Sequence, residues 1–325
     1  MQRQRLPGLV RILIFYLLSI TLASIAFAMR DSVDQSYALL SVHNIIRHLI
    51  YDVLHVIPLP PFSGGYYSLP SFLVALLSVW IMVQFVEHRP FISVGFPLSW
   101  STVYLSIFGL AVGGISIRFA QSLVVYFHNG IYLAPWQTWP HGFHYSLHVL
   151  TVTSLLSPIY EELIFRGYLL PTLMEDIGIA PAVMLISLLF GLGHYYQGGW
   201  IPVLDTGLLG VAMSLAYLKT RSLWLSIGMH LGWDVIGDVP YSVPLPHGLM
   251  LPNFYTLPGD LIIVSLLVIM FWVIPLRPTP QAKALWDRYI HPAPWPPWKR
   301  RAHQESKALL EEPEPRQPGP LPKDP

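Results

Sequence analysis

The run E-E-L-I-F-R at residues 161–166 sets two carboxylates and a guanidinium inside one of the most apolar stretches of the chain. The stretch around it, 146–172, is long enough for a bilayer-spanning helix, which takes roughly 20 apolar residues. Ionisable side chains at such depth are costly and mark functional sites by default. Helical geometry then separates their roles. Glu162 and Arg166 are four apart on one face, acid first, which is the favourable order for an ion pair. Glu161 is turned about 100° from Glu162, so it is free to face a cavity and act as a general base. Two later apolar segments carry matching features. F-G-L-G-H at 190–194 contains Phe190 and His194, and H-L-G-W-D at 230–234 contains His230 and Asp234. The last two are also four apart, so the carboxylate can orient the imidazole. At 1.5 Å per residue, Glu161 and His194 lie about 20 Å, and His230 about 14 Å, from the inner ends of their helices. Those depths allow all three to meet in one pocket.

Composition sets the medium. Of 325 residues 53% are hydrophobic and 11% charged, where soluble domains carry about a quarter charged. The chain reads as all-α, a polytopic membrane helix bundle with about eight transmembrane helices, at 9–28, 69–86, 102–127, 146–172, 181–197, 201–219, 222–238 and 258–276. Lys and Arg beside spans stay cytoplasmic. Arg3, Arg5, Arg11, Arg89, Lys219, Arg221, Arg277, Lys283 and Arg288 then fall inside, whereas only Arg30 and Arg47 fall outside. Both termini are expected in the cytoplasm. A competing reading takes the first apolar run and Ala26-Phe27-Ala28 as a cleavable signal peptide. The chain has no Cys, which removes disulfides, thiolate nucleophiles and Cys-ligated zinc. It contains no phosphate-binding glycine loop and no internal repeat.

Three regions follow: N-terminal membrane helices at 1–144, a helical core at 145–276 and a tail at 277–325. Between the first two spans, Leu39, Val42, Ile46, Leu49, Ile50, Val53 and Ile57 recur at helical spacing, as in an amphipathic helix at the outer interface. The Pro-rich tail is expected to be largely disordered.

Plainer readings exist for each feature. A buried Glu–Arg pair can simply brace helices, and one intramembrane His can bond across an interface. Gly191, Gly193, Gly228 and Gly232 fit close helix packing better than ligand binding. Two His with carboxylates can bind zinc, but the spacing is not H-E-x-x-H. The same charges also suit a proton-coupled carrier, although no repeated halves accompany them. A non-catalytic scaffold is the third option.

Taken in order, E-E-L-I-F-R, F-G-L-G-H and H-L-G-W-D resemble the E-E-x-x-x-R, F-x-x-x-H and H-x-x-x-N motifs of the CPBP family, the CAAX proteases and bacteriocin-processing enzymes. The resemblance covers about residues 145–240. It implies an intramembrane endopeptidase in which Glu161 and His194 activate water, Glu162 and Arg166 support them, and His230 and Asp234 stabilise the oxyanion or position the peptide carbonyl. It implies a glutamate mechanism with no cofactor, in place of an older metal-dependent description, with zinc left as the alternative. The implied partners are a peptide or membrane-protein substrate, lipidated or not, and membrane lipids, with no nucleic acid. Some bacterial members act in bacteriocin immunity, and a bacterial plasma membrane is the expected location. Asp234 departs from the Asn common in prenyl-protein proteases. An ionised carboxylate there opposes an oxyanion, so Asp234 must be protonated, orient His230 or ligate something. The prenyl-protease resemblance also implies access from the cytoplasm.

Overall fold

The structure is a computed structural model that describes residues 6–34, 68–97, 99–127, 131–132, 154–195, 199–237, 241–244, 250–252, 273 and 277–290. Helices dominate: α1 (Gly8–Asp34), α2 (Ser68–Ile81), α3 (Trp100–Phe127), α4 (Ser154–Glu162), α5 (Leu170–Ile177), α6 (Ile179–Leu192), α7 (Trp200–Thr220), α8 (Leu223–Gly237) and α9 (Pro280–Tyr289). A π-helical turn, Met82–Val86, extends α2, and a seven-residue π-helix, Leu163–Leu169, joins α4 to α5 into one continuous rod. Pro171 explains the wide turn. It has no N–H to donate and its ring crowds the carbonyl four residues back, so the Leu170 N–H reaches to Phe165 O instead. Gly178, at φ 84°, then turns the chain sharply into α6.

Among the described residues three helices are long and apolar enough to cross a membrane: Gly8–Ile25, Trp100–Phe127 and Trp200–Thr220. Phe72–Val86 and Ile179–Leu192 are shorter apolar helices. The sequence reading of about eight spans is therefore met only in part. The expected span at 258–276 lies outside the described residues except for 273. The amphipathic segment at 39–57 lies outside them too. On α3, Trp100, Ile107, Ile115 and Phe127 are exposed, an arrangement that suits lipid rather than water as solvent. Aromatic residues stand at both of its ends, Trp100 and Tyr104 at one and Tyr126 and Phe127 at the other, as in interfacial belts.

Two glycine-mediated contacts position the core. Gly109 packs against Leu225 and Gly228, Gly113 against Met229, and Gly232 against Leu110, so α3 and α8 run parallel with backbones nearly touching. Gly191 meets Val203 and Gly207, and Gly210 meets Ser187, which seats α6 antiparallel on α7. Phe15, Met82, Tyr168, Leu169, Met174, Ile186, Phe190 and Tyr217 fill the interior. Phe15 of α1 lies 4.9 Å from the Tyr168 ring, so α1 is part of the core.

Two expectations need correction. The stretches between the expected spans, after 127 and after 238, are not wholly irregular but contribute to a small antiparallel sheet of β1 (Ile131–Tyr132), β2 (Tyr241–Pro244) and β3 (Met250–Pro252), ordered β1-β2-β3. In the tail, 280–289 is a helix rather than disordered chain. The Thr279 side chain accepts from the Ala282 N–H, Pro280 occupies the first turn, and Trp286 packs 5.6 Å from Tyr217. Capping and one aromatic anchor outweigh the proline-rich composition. The tail beyond 290 lies outside the described residues.

Candidate active site

The π-helix starts immediately after Glu162, and its residues are buried throughout. π-Helical turns commonly occur at functional sites. At its head, Glu162 and Arg166 are both fully buried and paired, with Arg166 Nη1 donating to Glu162 Oε1 at 2.7 Å. Arg166 Nη2 donates to the Gly210 carbonyl on α7 at 3.0 Å. Its guanidinium lies 4.5 Å from the centre of the Phe190 ring. Charge, hydrogen bonding and ring stacking together hold a cation that would otherwise be very costly to bury.

The same Glu162 oxygen also meets His230 Nδ1 at 3.1 Å. A carboxylate can only accept, so Nδ1 carries the proton and Nε2 faces the other way. Glu161 Oε2 and Asp234 Oδ1 each stand 3.8 Å from that Nε2. The ring is thus oriented by Glu162 from another helix, not by Asp234 one turn along its own. Four spaced residues on α8 made Asp234 the natural local partner, but tertiary packing brings a closer acid.

His194 lies just past the end of α6. Its Nδ1 is 2.9 Å from the Phe190 carbonyl. Carbonyl oxygens only accept, which makes Nδ1 the donor and leaves Nε2 available. The Phe190 ring sits between the two imidazoles, 5.1 Å from His194 and 5.7 Å from His230. The structure thus sets Arg166, His194 and His230 around the Phe190 ring, and Glu161, Glu162 and Asp234 around His230.

Sequence reasoning missed two participants. Ser157 Oγ donates to Glu161 Oε1 at 2.6 Å, and its four-residue spacing was a usable signal. The Gly210 carbonyl arrives from a separate helix and leaves no local trace. Among the described residues no three His, Cys, Asp or Glu side chains are grouped to hold a metal ion. Glu162 is already committed to Arg166 and His230, and both Nδ1 atoms are engaged, which leaves the two Nε2 atoms and the Glu161 and Asp234 carboxylates as the remaining donors.

No curated protein and no solved structure matches the chain. Residues 143–236, under a third of the chain, match the family model described as type II CAAX prenyl endopeptidase Rce1-like. That segment includes α4 to α8 and every residue of the cluster. The match supports the resemblance to the CPBP family that the three motifs carry: this segment is similar to the Rce1-like family.

Proposed function

We propose that the chain hydrolyses peptide bonds within the membrane, with Glu161 as the base that activates water. The observation that carries this reading is the His230 contact set: one nitrogen bonded to buried Glu162 at 3.1 Å, the other 3.8 Å from Glu161. At 3.8 Å the two groups are beyond direct hydrogen bonding, a separation over which both can contact one reacting oxygen.

Glu161 removes a proton from water, and the hydroxide oxygen adds to the peptide carbonyl carbon. His230, as imidazolium, donates Nδ1–H to Glu162 and Nε2–H to the developing oxyanion. The carbon–nitrogen bond then breaks, and the proton taken by Glu161 passes to the leaving amine, with His194 Nε2 assisting both transfers. The products are a carboxylic acid and an amine, which leave as carboxylate and ammonium once the acid proton has passed to the amine. General acid–base steps of this kind each contribute about 10²–10⁴-fold. Glu162 and Arg166 act through His230 as positioning residues. Asp234 steadies the charge on Nε2 rather than donating to the oxyanion. No metal enters the sequence of steps. The setting is a plasma membrane of bacterial type, with both termini on the cytoplasmic side.

The test compares membrane-peptide termini between cells carrying wild type and Glu161→Gln. Termini present with wild type should disappear with the variant at equal protein level and insertion. Full hydrolytic activity in Glu161→Gln would remove Glu161 from its role. Metal analysis of purified protein checks the metal-free step: substoichiometric zinc is expected, and stoichiometric zinc lost on His194→Ala would overturn it.

A further inference from the structure

The two ends of the bundle differ in charge, and the candidate site lies close to one of them. The Leu9 N–H bonds Asp176 at 3.0 Å, Arg11 bridges Glu87 and Glu175, Leu223 N bonds Gly95 O, Trp224 bonds Pro97 O, and Arg221 pairs with Asp287. These contacts tie the start of α1, the α2–α3 connection, the ends of α5 and α7, the start of α8 and α9 into one end. Arg11, Arg89, Lys219, Arg221, Lys283 and Arg288 all belong to it. At the opposite end Gln121 Nε2 bonds Gly237 O at 2.8 Å, and β1 pairs with β2. In sequence, the stretches that follow α3, α6 and α8, at 128–153, 195–199 and 238–257, contain no Lys or Arg. Against this stand Arg30 near the end of α1, Arg47 later in the sequence, and Arg118 in the second half of α3. The positive-inside rule makes the basic end cytoplasmic.

Glu161, His194 and Asp234 lie nearer the other end of their helices, and His230 sits at the middle of α8. At 1.5 Å per residue, Glu161 is about 10 Å from the start of α4 but about 24 Å from the end of α5. Asp234 is about 5 Å from the end of α8 and about 17 Å from its start. His194 lies beyond the last residue of α6. Side-chain exposure rises the same way, from 0% at Glu162 and 6% at His230 to 18% at Glu161 and 30% at Asp234. Toward the basic end, Phe165, Arg166, Phe190 and Met229 are all nearly inaccessible.

We infer that the site opens on the non-cytoplasmic face, so that its substrates are membrane-anchored proteins or lipidated peptides whose scissile segment lies on that side. This rests on the protease reading and specifies its substrate class. A lipidated tail in the cytoplasm, which the prenyl-protease resemblance implies, would have to pass the packed layer around Arg166 to reach Glu161.

The absence of Cys makes single-cysteine labelling clean. Asp234→Cys, Tyr195→Cys and Gln281→Cys are each produced in the full chain in a bacterial host. A membrane-impermeant maleimide is then applied to right-side-out and to inside-out vesicles. Asp234→Cys and Tyr195→Cys should label only in right-side-out vesicles, and Gln281→Cys only in inside-out ones. Tyr195 is half-exposed and outside the proposed machinery, so it keeps the test readable if Asp234→Cys does not fold. Labelling of either site position from the Gln281 side, or from neither side, overturns the inference. In the comparison of wild type with Glu161→Gln, lost termini should map to extracytoplasmic segments. Termini in cytoplasmic tails overturn the sidedness alone, whereas no difference at all removes the protease reading beneath it.

Discussion

Ser157 is the residue on which the position of Glu161 most directly depends. Its hydroxyl donates 2.6 Å to Glu161 Oε1 and stands 3.2 Å from the Tyr160 hydroxyl. A hydrogen bond to a charged group is worth about 1.5–3 kcal/mol. Lost from the transition state, that corresponds to about a tenfold to hundredfold lower rate. Ser157→Ala is therefore expected to lower kcat on a cleavable peptide by that factor with little change in KM, while Ser157→Thr keeps most of it. Equal loss in both variants would point to a packing role for Ser157. Arg166 and Glu162 differ in kind. Their burial is complete, and they shape the site by fixing His230 rather than by meeting substrate.

Helix pairing carries the site at the next scale. His230 and Asp234 ride on α8, which touches α3 through Gly109, Gly113, Gly228 and Gly232. A Cβ at Gly113 would come 2.0 Å from the Met229 carbonyl, and one at Gly228 2.3 Å from the Ser106 carbonyl. Backbone on both sides leaves nothing flexible to yield, so the helices must separate. Gly113→Ala and Gly228→Ala should each lower stability by about 1–3 kcal/mol, as overpacked interfaces do. Because α8 moves with the separation, cleavage should also fall. Thermal unfolding in detergent and a peptide-cleavage assay check both effects. The glycine spacing suggested close packing from sequence. Its partner helix, and the parallel direction of the pair, came only from the structure.

Across the whole molecule, charge holds the basic end together. Glu87 bonds Arg11 at 2.9 Å and Arg89 at 2.5 Å, and Arg11 also bonds Glu175 at 2.6 Å. Burial acts to raise the Glu87 carboxyl, but Arg89 and Arg11 outweigh it and hold the group below its usual range. A carboxyl with a lowered folded-state pKa stabilises above its unfolded value, about 4.3, and that stability is lost as pH falls through the folded value. The unfolding temperature in detergent should accordingly be flat near neutrality and drop as pH falls below about 4.3. Glu87→Gln should be less stable at neutral pH and show a shallower acid decline. An unchanged acid profile in the variant would assign that decline to other groups.

Hydrophobicity, charge asymmetry and the three short motifs, read along the chain, pointed to a membrane-embedded helical protein and singled out Glu161, Glu162, Arg166, His194, His230 and Asp234 as its candidate site. Each of those signals is local, because helical spacing and apolar length are properties of one segment at a time. Tertiary structure alone decided that Glu162 orients His230, that Gly210 accepts from Arg166, that a capped helix forms at 280–289, and that Glu161 and Asp234 lie away from the end gathered by Arg11 and Arg221. These depend on which helices become neighbours and at what depth. Backbone contacts between distant glycines and the burial of one ion pair set that arrangement, and neither leaves a periodic trace in sequence.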